Sequence, residues 1–262
     1  MKNSPKPKKV KKPLTIEQKI NRRTFISFGT FAVLSGAAYG GWSWLKNSPK
    51  EIRTVTAGAK APLRRALNKT ELFFRNFFSN NNLVKTYPKE RAVKVVRYNS
   101  GIGLQTAHDI ESWKLQVKKQ SGEVMNITLD EIKALPKTEI IFDFKCVEGW
   151  DEISHWGGVK FSDFIHHFKL DDQAKLDYVG LVTPDKKYYV GLDMPSAMHP
   201  QTLLAYEMND MPLTPKHGEP LRLIIPVKYG IKNLKCIGSI TFSNQRPPDY
   251  WAEKGYDYYS GL

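Results

Sequence analysis

The sequence predicts an α+β domain over residues 60–262, preceded by a basic leader and an apolar helix. Three observations predict it. Apolar residues recur at helical spacing in a few short stretches, strand-like runs dominate the second half, and no segment repeats. The 262 residues suffice for one large domain with a sizeable core, and 41% hydrophobic and 12% aromatic content is ordinary for a globular chain.

The leader comes first. Lys2, Lys6, Lys8, Lys9, Lys11 and Lys12 alternate with Pro5, Pro7 and Pro13, so residues 1–24 offer little apolar surface and read as a basic, disordered leader. Residues 1–50 hold 11 Lys and Arg against Glu17, which is +10 of the net +14. The remaining chain is only mildly basic, which argues against a nucleic-acid-binding face. Arg22-Arg23, followed by Phe25-Ile26 and an apolar run, resembles a twin-arginine export signal. The run Phe25–Leu45 is about 21 residues, the length of a bilayer span, and the flanking charge would keep the amino terminus cytoplasmic. Small residues near Ser35-Gly36-Ala37 offer cleavage candidates. An uncleaved anchor with the domain on the periplasmic side is expected, and an ordinary membrane anchor with chance arginines is the alternative. Residues 46–59 read as a linker.

From Lys60 to Phe78, residues such as Leu63, Leu67, Phe73, Phe74 and Phe77 mark an amphipathic helix with a Phe-rich face, expected to pack on the domain. Val93–Val96 and Trp113–Val117 alternate as strands, with a turn at Ser121-Gly122. Leu129–Leu135 and Lys160–Phe168 read as short helices. Glu139–Phe144, Tyr178–Thr183, Lys187–Leu192, Leu221–Pro226 and Ile237–Phe242 read as strands.

The chemistry concentrates where the strand Glu139–Phe144 runs into Lys145-Cys146-Val147-Glu148-Gly149-Trp150, with Trp156-Gly157-Gly158-Val159 following in a Gly- and Trp-rich loop. A loop leaving a strand end is a usual place for a site, and thiolate is a soft ligand suited to a polarisable metal. Residue chemistry alone leaves Cys146 open to two other readings: a buried apolar cysteine, or a disulfide with Cys236, the second cysteine of the chain. No C-x-x-C-H haem motif, C-x-x-C pair or iron–sulfur cysteine set is present. His155, His166, His167 and His199 show no zinc-ligand spacing, and His199 reads as a core hydrogen-bonding residue.

The Cys146 segment resembles that of the sulfite oxidase / periplasmic sulfoxide reductase family of molybdopterin enzymes. Ala197–Tyr206, His217–Arg222, Pro226–Lys235 and Arg246–Trp251 agree with the same family in order, so the resemblance covers about residues 90–262. It implies a sulfite-oxidase-type molybdopterin-binding fold and a Mo–molybdopterin cofactor with Cys146 as the protein thiolate on molybdenum. It also implies cofactor contacts from Asn99, Ile102 and Gly103, from Thr183, from His217 and Arg222, and from Asn233, Leu234 and Lys235. Arg222 offers a planar fork suited to phosphate oxygens and Lys235 a point charge. A carboxylate partner for Arg222 and a solvated strand edge for Lys228, Lys232 and Lys235 are the alternatives. Asn-Ser-Gly at Asn99 is also ordinary turn chemistry. His217 matches the sulfite-oxidase branch, where the sulfoxide-reductase branch carries Asn.

The implied function is oxygen-atom transfer, with reduction of an S-oxide or N-oxide preferred over a sulfite dehydrogenase because no cluster of several arginines is evident. Asp193, Trp150, Trp156, Met194 and Tyr229 are candidates for the substrate face. Electrons would come from a separate protein, a membrane cytochrome or a soluble carrier. Non-catalytic alternatives are a membrane-anchored binding module that keeps the fold and a disulfide-held structural protein.

Overall fold

The computed structural model describes residues 15–50, 60–77, 81–104 and 112–262. The first part of the expected leader, residues 51–59 of the expected linker and Phe78 lie outside the described residues.

The chain divides into two units, Met1–Pro49 and Lys50–Leu262. In the first, helix α1 (Ile16–Asn47) opens on a capping box: Gln18 N donates to Thr15 Oγ1 at 3.3 Å, and Thr15 N donates to Gln18 Oε1 at 3.1 Å. The helix therefore starts inside the segment expected to be disordered. No helix among the described residues is long and apolar enough to cross a membrane. That corrects the expected span over Phe25–Leu45. Ser27, Gly29, Thr30, Ser35, Gly36, Gly40, Gly41 and Ser43 punctuate the run and dilute its hydrophobicity.

The second unit begins with α2 (Ala61–Phe77) and continues through β1 (Lys114–Lys118), β2 (Val124–Thr128), α3 (Leu129–Lys133), β3 (Thr138–Lys145), β4 (Asp151–Lys160), α4 (Phe161–His167), β5 (Tyr178–Val182), β6 (Tyr189–Asp193), α5 (Met194–Ala197), β7 (Leu203–Met208), β8 (Met211–Pro212), β9 (Arg222–Ile224) and β10 (Ser239–Ser243). The strands form two sheets, ordered β2-β1-β10-β5-β6 and β3-β4-β7-β8, with β9 also pairing β7. Among the described strands, only β1 and β10 pair in parallel. The α+β prediction holds.

Alternation along the second sheet sends side chains into two cores. Leu204 and Leu223 join Val159, Phe161 and Leu181 in the larger one, while Leu203, Ala205 and Ile224 join Phe142 and Trp156 in the smaller. Each fully buried side chain of this size contributes roughly 1.5–3 kcal/mol by leaving water.

Two parts of the sequence reading change. Val93–Val96 is irregular, tied down where Val93 N donates to Ile153 O at 2.9 Å. The stretch expected as a Gly- and Trp-rich loop is β4, a central strand between β3 and β7 and buried without break from Ser154 to Val159. A strand buried on both faces shows no alternation to read. Its glycines serve packing: a Cβ on Gly158 would lie 2.2 Å from Leu204 O, at the bulge where the β4–β7 register shifts.

Helix α2 meets its own unit through Phe74, stacked on Tyr259 at 5.5 Å, and through Thr70 Oγ1, which donates to Asp257 Oδ1 at 2.6 Å. Only part of the Phe-rich face is covered, since Leu63 and Phe73 stay exposed.

Candidate active site

β3 delivers Cys146 at its carboxyl end, and a tight turn follows. Gly149 N donates to Cys146 O at 3.1 Å and Cys146 N donates to Trp150 O at 2.9 Å. Gly149 sits at φ +86°, which a side chain would strain. The thiol reaches a cavity of about 210 Å³. Its walls come from segments distant in sequence: residues 96–102, residues 144–156 from the end of β3 into β4, Tyr188, Arg222 on β9 with the loop after it, and Trp251 and Tyr256.

Asn99 lies across from the thiol, its Nδ2 3.9 Å from Cys146 Sγ. Lys235 Nζ donates to Asn99 O at 2.6 Å and to Ser100 O at 3.0 Å, so the lysine fixes the loop that carries the amide. Arg222 is buried on β9, with its guanidinium 4.4 Å from the centre of the Trp156 ring. It donates to His217 O at 3.0 Å and Asn233 O at 3.4 Å, while its Nε finds no hydrogen-bond partner among the described residues. No carboxylate pairs with Arg222 or Lys235 among the described residues. Burial pushes Arg222 down to about 9. Burial first, and the Arg222 charge second, push Lys235 down to about 7. Two cations left uncompensated in one cavity are costly unless an anion joins them.

The model of the oxidoreductase molybdopterin-binding domain family matches residues 103–251. The chain belongs to this family. It is 34% identical over 186 residues to a chain of Azospira oryzae provisionally named a protein-methionine-sulfoxide reductase subunit, covering 70% of each. It is 29% identical over 231 residues to the protein-methionine-sulfoxide reductase catalytic subunit of Campylobacter jejuni, covering 78% of each. The solved sulfane dehydrogenase SoxCD of Paracoccus pantotrophus overlaps it with a TM-score of 0.49 and 16% identity, over 64% of this chain and 46% of that one.

The cavity fits the group that names the family. Molybdopterin ends in a phosphate, and Arg222, with its orphaned Nε, and Lys235, neither with a carboxylate partner among the described residues, are cationic donors of the kind a phosphate takes. The Cys146 thiol opens into the same cavity and is a soft donor of the kind molybdenum accepts.

Of the residues named from the sequence, Asn99, Ile102, Cys146, Arg222, Asn233 and Lys235 line the cavity; Gly103, Thr183, His217 and Leu234 are not among its lining residues. Thr183 supports the wall from behind: a Cβ on Gly103 would lie 2.6 Å from its Cγ2, and its hydroxyl donates to Asp185 Oδ1 at 2.6 Å. His217 has both ring nitrogens engaged, with Thr214 Oγ1 at 2.8 Å and Val96 O at 3.3 Å. Asn233 is turned inward, its Oδ1 accepting from Ile225 N at 2.8 Å.

Several expectations are corrected. Cys146 and Cys236 are both free thiols, so the disulfide readings fail. Cys236 is buried elsewhere at φ +52°, its thiol pushed up to about 12 chiefly by burial. Lys228 and Lys232 are no solvated edge: they are buried against Asp193 at 3.3 Å and Asp249 at 2.6 Å. Asp193 is thereby used up as an ion partner and as the cap of α5, and leaves the substrate face. Met194 belongs to the larger core, and Tyr229 is not among the lining residues. Arg222 has no carboxylate partner among the described residues, against that alternative.

The sequence reading missed Arg97, Glu148, Glu152, Tyr188, Trp251 and Tyr256 as wall residues. Arg97 lies 4.6 Å from the centre of the Trp150 ring, and its N–H donates to both oxygens of Glu152 at 3.0 and 3.2 Å. Burial raises the Glu152 carboxyl above its ordinary range, while Trp150 and Asn99 hold Glu148 below it.

Proposed function

We propose that this protein is an exported reductase of methionine S-oxide, built on a sulfite-oxidase-type arrangement in which Cys146 ligates the molybdenum of a molybdopterin. The observation that carries this reading is the meeting, in one cavity, of the Cys146 thiol with two cations that have no carboxylate partner among the described residues. Arg222 and Lys235 would take the cofactor's phosphate, and Asn99 would hold its amide against the sulfur of Cys146. The chemistry supplied by the bound group is a two-electron couple able to take up the oxygen of a sulfoxide. The overall reaction, sulfoxide plus two electrons and two protons to thioether plus water, balances without another co-reactant.

Once Arg222 and Lys235 are given to the phosphate, the rest of the wall holds one cation, Arg97, against Glu148 and Glu152, among Trp150, Trp251 and Tyr256. That balance disfavours a compact dianion such as sulfite and suits a neutral oxide on a thioether chain, because aromatic edges make favourable sulfur contacts. The relatives named for methionine-sulfoxide reduction agree with this choice. Burial raises the Glu152 carboxyl while Trp150 and Asn99 lower Glu148, so Glu152 takes up a proton more readily than Glu148.

The sequence carries no four-cysteine iron–sulfur set and no C-x-x-C-H haem motif, and one relative is named a catalytic subunit, so electrons would come from a separate redox protein. Arg22-Arg23 before the apolar helix fits twin-arginine export of a folded, cofactor-loaded chain to the periplasmic side. Unimpaired export after replacing both arginines by Lys would exclude that route.

The function is tested by metal and pterin analysis of the purified protein, followed by turnover of methionine sulfoxide and of sulfite with a dye as electron donor or acceptor. One molybdenum per chain and turnover of the sulfoxide alone are expected. Fast sulfite oxidation without sulfoxide turnover would overturn the substrate, and absence of pterin would overturn the whole reading.

A further inference from the structure

Alternation along β4 turns Trp156 into the cavity wall and its neighbour His155 to the other face of the sheet. There His155 is 2% exposed, and its Nε2 is buried without a hydrogen-bond partner among the described residues. Glu139 Oε2, from the adjacent β3, lies 3.3 Å from that nitrogen, out of line for a hydrogen bond. Asp210 comes from the β7–β8 turn, where Asn209 and Asp210 take φ of +51° and +62°. Asn209 N donates to His155 O at 3.1 Å and pins this turn beside the histidine. One ligand atom from each of Glu139, His155 and Asp210 lies within 4.8 Å of the others.

We propose that Glu139, His155 and Asp210 form a second metal site, for a divalent transition cation of the zinc type, with Lys89 as its internal competitor. Metal bonds of 2.0–2.2 Å in tetrahedral array separate ligand atoms by about 3.3 Å. The distance between His155 Nε2 and Glu139 Oε2 is 3.3 Å, so that pair already stands at the spacing of one tetrahedral edge. An imidazole donor selects zinc-type cations over calcium or magnesium, which take oxygen ligands.

At present an ammonium occupies the cation's place. Lys89 Nζ lies 2.6 Å from Asp210 and 3.8 Å from Glu139, and its side chain is 47% exposed, free to swing into water. Lys137 bridges Glu139 and Glu207. With Lys89 released, three carboxylates face one lysine, which leaves two negative charges for a divalent ion. The site would clip β3 and β4 to the β7–β8 turn, on the face of β4 opposite the cavity.

The test is a titration of the tag-free full chain with zinc chloride by calorimetry, with cobalt(II) absorption to report tetrahedral geometry. One zinc per chain, a raised Tm and tetrahedral cobalt bands are expected. Asp210→Asn and His155→Gln should each weaken binding at least about tenfold. Lys89→Ala should tighten it by removing the competitor, an effect that a merely structural role for these residues would not produce. Cys146→Ser should leave zinc affinity unchanged. If His155→Gln does not fold, Asp210→Asn and Lys89→Ala at the surface read the same site. No zinc uptake by the wild type, or uptake indifferent to Asp210→Asn and Lys89→Ala, would overturn the proposal.

Discussion

The side-chain amide of Asn99 donates to the sulfur of Cys146 across 3.9 Å, and the backbone carbonyl of the same asparagine accepts from Lys235 Nζ at 2.6 Å. One residue thus connects the thiol end of the cavity to its cationic end. The amide thus faces the sulfur through which the proposed cofactor would be held.

The two cysteines should separate cleanly. Cys146→Ser is expected to retain pterin but lose activity, since hydroxyl is a harder and poorer ligand. Cys236→Ser should keep activity and lose at most about 2 kcal/mol of stability, the cost of a buried hydroxyl. Equal loss of activity in both variants, read by metal analysis and turnover, would deny Cys146 its special role.

Arg222→Met and Lys235→Met should each lower pterin content. Charge-assisted hydrogen bonds contribute about 1.5–3 kcal/mol, which corresponds to roughly a 10- to 150-fold loss of affinity. Arg222→Lys should recover only part of it, because an ammonium lacks the planar fork. Fluorescence of the oxidised pterin released from the purified variants measures this. Full pterin occupancy in both Met variants would place the phosphate elsewhere.

The buried cations also set a pH dependence for the cofactor-free protein. Burial and Arg222 hold Lys235 near 7 in the folded state, against 10.5 unfolded. Between those values the unfolded chain binds more protons, so stability rises with pH from about 7 to about 10.5, and the penalty is complete below 7. Lys228, pushed to about 7 by burial against the pull of Asp193, adds a slope of the same sign. Urea unfolding at pH 7 and pH 9 should show the rise, and Lys235→Met should reduce it. An equal slope in wild type and variant would show that Lys235 stays protonated.

Lys232 Nζ meets Asp249 Oδ2 at 2.6 Å and Gly191 O at 2.9 Å, anchoring the loop that carries Asn233 and Lys235 to β6. Asp249→Asn strands that buried ammonium and should cost about 3–5 kcal/mol. Pairing it with Lys232→Met should recover part of the loss. Thermal unfolding of the three variants decides it, and additive losses in the double variant would mean the pair is not coupled.

Much of the site was legible before any coordinates. The motif around Cys146, the strand feeding it and the run Arg222–Lys235 placed the thiol and the two cations that now share one cavity. The same local reasoning failed for β4, with its two glycines, and for β7, whose apolar runs are buried too evenly to show a strand period. It also expected a membrane span from a run whose length sufficed but whose small and polar residues did not.

The sequence by itself determined the α+β class, the family, and which residues carry soft-ligand and cationic chemistry, because those signals are local in composition and spacing. Only the tertiary structure decided which lysines are spent: Lys228 and Lys232 on buried carboxylates, Lys235 on the cavity. It likewise decided that the cysteines stay apart and that His155 faces Glu139 and Asp210. These outcomes depend on which segments, distant along the chain, the two sheets bring within a few ångströms. Charge pairing and metal ligation act over that distance, and residue spacing does not encode it.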